Sequence, residues 1–195
     1  RLILIHKGDE AGFYNYALTL DERGGHCGAF YSNLDSSRLT VRFEGIEHFT
    51  YVDNGGGADS LHFGDGDDIV RTSGGDDTIR TAGGIDDVNG GAGNDTWVAD
   101  KSFADRKIAI DLNARKAGYL ETGAVRNVED MDLTTGAGND RLTTHSSAEM
   151  RDRLDTGAGR DTIKVWAGGV DEVNGGAGRD RLILVNETAP DGFYN

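Results

Sequence analysis

The chain has 195 residues, 34 acidic against 20 basic side chains, and a formal net charge of −14, which argues against a nucleic-acid backbone or an anionic membrane as partner. It holds 30 glycines and one proline, yet it is too rich in Val, Ile and Leu to be a flexible linker. The lone Cys27 cannot form an internal disulfide, and no apolar run approaches the roughly 20 residues of a bilayer helix.

Arg1 opens directly into "RLILI", with neither an initiator Met nor a signal peptide, so the chain is expected to be part of something longer. A β-rich lead is expected over 1–53. Within it, "YALTL" at Tyr16 and "LTVRF" at Leu39 alternate apolar with other residues, as half-buried strands do. From Asn54 to Val98 five nine-residue blocks follow without a gap: "NGGGADSLH", "FGDGDDIVR", "TSGGDDTIR", "TAGGIDDVN" and "GGAGNDTWV". Their fourth positions are Gly57, Gly66, Gly75, Gly84 and Gly93. Their sixth positions are Asp59, Asp68, Asp77, Asp86 and Asp95. Their eighth positions are Leu61, Val70, Ile79, Val88 and Trp97, always apolar.

A second β-rich lead is expected over 99–134, with "IAIDL" at Ile108 as a strand. A second array spans 135–183, with blocks "TGAGNDRLT", "SAEMRDRLD", "TGAGRDTIK", "WAGGVDEVN" and "GGAGRDRLI". Its sixth positions are Asp140, Asp152, Asp161, Asp171 and Asp180, and its fourth positions include Gly138, Gly159, Gly169 and Gly178. Thr144 to Ser146 intrude after the first block and Val165 after the third. The block at Ser147 keeps only Asp152 and Leu154 of the pattern. No segment carries a convincing helical pattern.

The chemistry of one block is simple. Glycine reaches φ > 0 without steric cost and lets other atoms approach the backbone closely. A turn made mostly of glycine therefore turns carbonyl oxygens toward one place, and the aspartate at its end adds a charged oxygen. Hard cations such as calcium take six to eight oxygen ligands. The last three residues, with an apolar one in the middle, make a short strand whose central side chain points inward. Turn and strand in alternation give a coil whose layers stack as parallel sheets around a thin apolar core.

These blocks resemble the RTX (repeats-in-toxin) nonapeptide, G-G-x-G-x-D-x-U-x, most closely in "GGAGNDTWV", "TGAGNDRLT", "TGAGRDTIK" and "GGAGRDRLI". The segments "GIEHF" at Gly45 and "NVEDM" at Asn127 are similar to those that often precede RTX arrays. The resemblance implies an all-β chain with two calcium-loaded parallel β-rolls (β-solenoids), each preceded by a β-rich lead. It also implies that two blocks make one coil, so that each calcium lies between a block and the next but one. The implied pairs are Asp59 with Asp77, Asp68 with Asp86, Asp77 with Asp95, Asp140 with Asp161, Asp152 with Asp171, and Asp161 with Asp180. Backbone oxygens would come from the second and fourth positions. In the first array these are Gly55, Gly57, Gly64, Gly66, Gly75, Gly84, Gly91 and Gly93. In the second they are Gly136, Gly138, Gly157, Gly159, Gly169, Gly176 and Gly178. That makes about six sites, whose roughly +12 would offset most of the formal −14.

The two ends of the chain match each other. "RLILIHKGDEAGFYN" from Arg1 and "RLILVNETAPDGFYN" from Arg181 agree at eight of fifteen positions without a gap. The expectation is a parent that repeats a unit of about 180 residues in tandem, with 184–195 beginning the next unit. The leading functional expectation is thus a calcium-binding structural unit of a large secreted or cell-surface protein, such as an adhesin, surface layer or extracellular fibre. Its partners would be calcium and neighbouring copies, with a surface or polysaccharide left open. The alternative is a calcium-binding accessory or secretion module of a secreted enzyme, such as a protease, lipase or polysaccharide-modifying enzyme. Ice binding would need a regular row of Thr or Asn in the turns. The third positions (Gly56, Asp65, Gly74, Gly83, Ala92) and the fifth (Ala58, Asp67, Asp76, Ile85, Asn94) make no such row.

No catalytic role is expected. None of the five histidines lies in H-E-x-x-H, and neither a G-x-S-x-G elbow nor a phosphate loop is present. His26 and Cys27 sit in "GGHCGAF" with no second cysteine. Adjacent carboxylates such as Asp67 and Asp68 read as one ligand and one solvated neighbour. Trp97 falls in the inward column and reads as core, whereas Trp166 falls in a turn position and reads as the more open of the two.

Overall fold

A computed structural model describes residues 1–5, 13–15, 19–20, 25–32, 40–114, 117–119, 123–146, 151–166 and 169–186. The strand expected at "YALTL" lies largely outside these residues, as do the second "GFYN" and the first half of the Ser147 block. Among the described residues there is no helix.

The first lead contributes β1 (Leu2–Ile5), β2 (Phe13–Asn15), β3 (Thr19–Leu20), β4 (His26–Ser32), β5 (Thr40–Ile46) and β6 (Phe49–Val52). The first array gives one strand per block: β7 (Ser60–His62), β8 (Ile69–Arg71), β9 (Thr78–Thr81), β10 (Asp87–Asn89) and β11 (Thr96–Lys101). The second lead contributes β12 (Ala109–Asp111), β13 (Ala117–Tyr119), β14 (Gly123–Arg126) and β15 (Asp130–Thr135). The second array follows with β16 (Arg141–Thr143), β17 (Arg153–Asp155), β18 (Ala158–Gly159), β19 (Thr162–Trp166), β20 (Glu172–Asn174), β21 (Ala177–Gly178) and β22 (Arg181–Val185).

Alternate blocks fall on opposite sheets. β7, β9 and β11 are neighbours in one sheet, and β6, β8 and β10 in the other. All these pairings are parallel, with Leu61 opposite Ile79, Ile79 opposite Trp97, and Val70 opposite Val88. The eighth-position column is therefore a stack of inward side chains: Leu61, Val70, Ile79, Val88 and Trp97 are all fully buried. Each contributes about 1.5–3 kcal/mol of apolar burial. The Trp97 indole N–H donates to Thr81 Oγ1 at 3.1 Å, so its one polar atom is satisfied inside the core.

The two arrays are joined on one face. β11 ends the first array and pairs with β15 of the second lead, and the same sheet continues through β17 to β20. The other face is divided. One part runs β1-β6-β8-β10-β14-β13 and the other β12-β16-β19-β22. The core thins toward the far end, where Leu142, Leu154 and Ile163 are buried, Val173 is half-buried and Leu182 is 61% exposed.

The first lead closes the near end of the roll with aromatic mass. Phe30 packs against Phe43, Phe49, Tyr51 and Phe63 with ring centroids 5.6–6.4 Å apart. Antiparallel pairing of β4 with β2 and β5 builds this cap, in contrast to the parallel roll it covers. Val165, the extra residue after the third block, lengthens β19 by adding a second buried side chain to its inner face. Trp166 accordingly ends this strand rather than lying in a turn, and Lys164 Nζ sits 4.4 Å from its ring centroid.

Candidate metal centres in the stacked turns

The turns stack as regularly as the strands. A Cβ on Gly93 would collide with the carbonyl oxygen of Gly75, and one on Gly159 with that of Gly138. Gly157 and Gly176 repeat the relation with Gly136 and Gly157. Only a residue without a side chain permits this approach. Gly93 and Gly159 also hold φ of 142° and 154°, which L side chains rarely adopt. Ser73 takes the second position of its block and still keeps φ at 68°, so the turn shape survives the loss of that glycine.

Each column aspartate bonds to the layer before it. Asp77 Oδ1 accepts from the Asp59 N–H at 2.7 Å, Asp86 from Asp68 at 3.0 Å and Asp95 from Asp77 at 2.9 Å. The second array repeats this with Asp161 on Asp140 at 2.7 Å, Asp171 on Asp152 at 2.9 Å and Asp180 on Asp161 at 3.0 Å. The structure thus brings together every aspartate pair named from the sequence. The three residues intruding after Thr143 leave this register intact, and Thr144 itself stays in the layer, its N–H donating to the Lys164 carbonyl at 3.0 Å. Asp152, in the block without glycines, is as buried as its neighbours. Asp171 is half-buried and Asp180 exposed, at the open end of the stack.

Burial of these carboxylates has an electrostatic cost. Asp59, Asp68, Asp77, Asp86, Asp95, Asp140, Asp152 and Asp161 are all within 2% of complete burial. The Oδ2 atoms of Asp68, Asp77, Asp95 and Asp161 have no hydrogen-bond partner among the described residues. Desolvation pushes Asp68 up to about 8, with Asp86 adding to the rise. It pushes Asp77, Asp95 and Asp152 up to about 7, and a neighbouring column aspartate adds to each. Asp86 and Asp140 are raised for the same first reason. A buried carboxylate oxygen without a donor is costly unless a cation meets it.

The donors available are all hard oxygens: paired carboxylates and glycine-turn carbonyls. Among the described residues no group of three or more His, Cys, Asp or Glu gathers as a cluster. This set suits a calcium-type ion, which readily takes backbone carbonyls, and not the thiolate or imidazole sites of zinc.

Several participants are not visible in the nonapeptide pattern. The fifth positions stitch layers in the opposite sense, with Asp67 Oδ1 accepting from Ile85 N and Asp76 Oδ1 from Asn94 N. Those residues are therefore not merely solvated neighbours. The leads complete the ladder at its ends. Phe49 N donates to Asp68 Oδ1, Ile108 N to Asp140 Oδ1 and Met131 N to Asp152 Oδ1. Glu129, from "NVEDM", receives the Asp95 N–H at 2.8 Å, where the next aspartate of the Asp59–Asp77–Asp95 column would stand. The His26 ring lies where a Cβ on Gly64 would go, and the Glu47 carbonyl lies where one on Gly66 would go. Asp87, beside Asp86, is paired with Arg71 at 2.9 Å and Arg126 at 2.7 Å.

The family model of the RTX calcium-binding nonapeptide repeat (4 copies) matches residues 52–70, 62–96 and 149–182. No curated protein and no solved structure matches the chain. Both arrays carry RTX repeats, and RTX nonapeptide repeats bind Ca2+.

Proposed function

We propose that this RTX repeat chain is a calcium-folded structural unit of a large secreted or cell-surface protein, repeated in tandem. The column aspartates and the glycine carbonyls beside them are its calcium ligands. The lead 1–53, the arrays 54–98 and 135–183 and the intervening lead 99–134 make up one unit, and 184–195 begins the next. Calcium supplies the positive charge that the paired, buried carboxylates lack, and the turns contribute the neutral oxygens.

The observation that carries the tandem reading is the equivalence of the two terminal strands. Arg181–Val185 repeats Arg1–Ile5 except for Val in place of Ile. β22 pairs with β19 through one edge, with Leu182 opposite Ile163 and Leu184 opposite Val165. β1 pairs with β6, with Leu2 opposite Phe49 and Leu4 opposite Tyr51. In a tandem array these are one strand, with Ile163 of one unit on one side and Phe49 of the next on the other. The apolar side chains exposed at both ends, Ile3, Ile5, Leu182 and Leu184 at 56–63%, fit such a junction. Solenoid units bury their ends against neighbours in this way, and free strand edges invite pairing.

A single unit in calcium is expected to associate end to end. A two-unit chain is expected to melt several degrees higher. Light scattering and thermal melts on both decide this. A strictly monomeric unit melting at the same temperature as the pair would make the units independent beads.

The raised carboxylates give a pH dependence. Their folded values of about 7–8 lie above the ordinary 3.8. Between about pH 4 and 8 the calcium-free fold therefore holds more protons than the unfolded chain, and its stability falls as pH rises. Calcium needs the same groups ionised. The unfolded chain and the calcium-loaded fold are both ionised across this range, so lowering the pH from 8 to 5.5 is expected to stabilise the calcium-free fold, to leave more strand signal in EGTA, and not to raise the calcium concentration at the folding midpoint. Circular dichroism in EGTA and in calcium titrations at the two pH values checks it, and a calcium-free strand signal that falls on acidification would count against burial of these carboxylates.

A further inference from the structure

The column holding Asp68 and Asp86 has no third aspartate. The nine residues that would form the next block read "ADKSFADRK" from Ala99, with Ala104 in the aspartate's place. Parallel pairing sets Ala99 opposite Thr81, so Lys101 enters the layer directly beyond the Ala82–Gly84 turn. Its side chain is fully buried. The ammonium donates to the carbonyl oxygens of Ala82, Gly83 and Gly84 at 2.8, 3.0 and 3.2 Å, and to Asp86 Oδ2 at 2.7 Å. Asp86 is equally buried, and its other oxygen is held by the Asp68 N–H.

This shell is a run of turn carbonyls plus one column carboxylate, the donor set that the other turns present. An ammonium has three N–H donors and no acceptor, and four oxygens satisfy it completely. Its single charge matches the single carboxylate, whereas a dication would find only these four of the usual six to eight oxygen ligands.

We propose that Lys101 is a tethered cation standing in for calcium at the last turn of this column. The tether brings the cation with the chain, so this turn fills as the array folds and takes no calcium of its own. It also ends the metal column at the point where the fold passes into the second lead. The proposal rests on reading the other turns as calcium sites.

The test uses the full chain and its calcium midpoint, read by circular dichroism. Lys101→Met keeps the apolar stem and removes the charge, and it is expected to raise the midpoint by about tenfold, since breaking a buried pair from one side is strongly destabilising. Lys101→Ala leaves room for a free cation. Adding n-propylammonium is expected to return its midpoint toward that of the parent, and adding propanol is not. If either truncated chain stays unfolded in saturating calcium, Lys101→Arg, which keeps the charge, is expected to fold. A Lys101→Met midpoint equal to the parent's overturns the proposal, as does a Lys101→Ala chain insensitive to alkylammonium or a Lys101→Arg chain as impaired as the neutral ones. A parent chain that ignores calcium would instead sink the reading of the turns.

Discussion

In EGTA the chain is expected to lose most of its strand signal and to expand toward the roughly 45–50 Å radius of gyration of an unfolded chain of this length. The reason lies in the balance of terms along the stack. Along the array blocks the apolar core is mostly one inward eighth-position side chain per strand, and it ends in the exposed Leu182. Against that gain stand eight carboxylates buried to within 2% of completion and a formal charge of −14. Like charges repeated in every second turn repel one another along the column, and a medium without water screens them poorly. Without the metal, the ionised turns oppose the strands they connect. Extracellular calcium modules bind at about 10⁻⁴–10⁻³ M, so millimolar calcium is expected to restore the fold and cytosolic calcium is not. Such a dependence suits export as an unfolded chain. Circular dichroism and small-angle scattering, in EGTA and then in excess calcium, check this result. A strand-rich spectrum unchanged in EGTA would show that the core suffices alone.

Asp77→Ala is expected to remove about two calcium ions per chain, and Asp59→Ala or Asp95→Ala about one each. Asp77 lies in the middle of its column. Its Oδ1 holds the Asp59 N–H, its own N–H is held by Asp95 Oδ1, and its Oδ2 meets no donor among the described residues. It therefore faces both layer gaps, whereas Asp59 stands at the lead end of the column, where the Tyr51 hydroxyl donates to its Oδ2 at 3.1 Å. Asp95 has Glu129 on its far side. The midpoint of folding should rise most for Asp77→Ala, because two binding events are lost from one cooperative stack. Calorimetric titration of the three variants decides it. Equal losses would mean that alternate blocks do not share ions.

How much of this was legible in the sequence follows from what repeats. Columns with a fixed period, such as Leu61 to Trp97, predict the inward core, and the meeting of Asp59 with Asp77, and of Asp77 with Asp95, across coils was implied by the resemblance to RTX repeats. The structure places each in register. A period of nine with alternate blocks on opposite sheets also explains why Asp59 meets Asp77 and not Asp68.

Aperiodic contacts were not legible. Lys101 lies in a segment without block pattern, and nothing in "ADKSF" announces that its side chain reaches back into the Ala82–Gly84 turn. Glu129 sits far along the chain from Asp95, and the intervening lead hides the relation. The continuous β11–β15 sheet joins two arrays that read as separate because the residues between them break the repeat. The aromatic cap on Phe30 and the His26 ring over Gly64 depend on antiparallel pairing, whose register the nonapeptide does not encode. Trp166 read as a turn residue because the insertion of Val165 was counted as an interruption. In the fold that residue is a strand extension with a buried side chain.

The claim at the centre of this account is that paired column aspartates and stacked glycine turns hold calcium in both arrays. Equilibrium dialysis of the folded chain against labelled calcium at millimolar concentration tests it most directly. The account predicts about six ions per chain, three in each array, taken up in step with the gain of strand signal. A fully folded chain that retains one ion or none would contradict it.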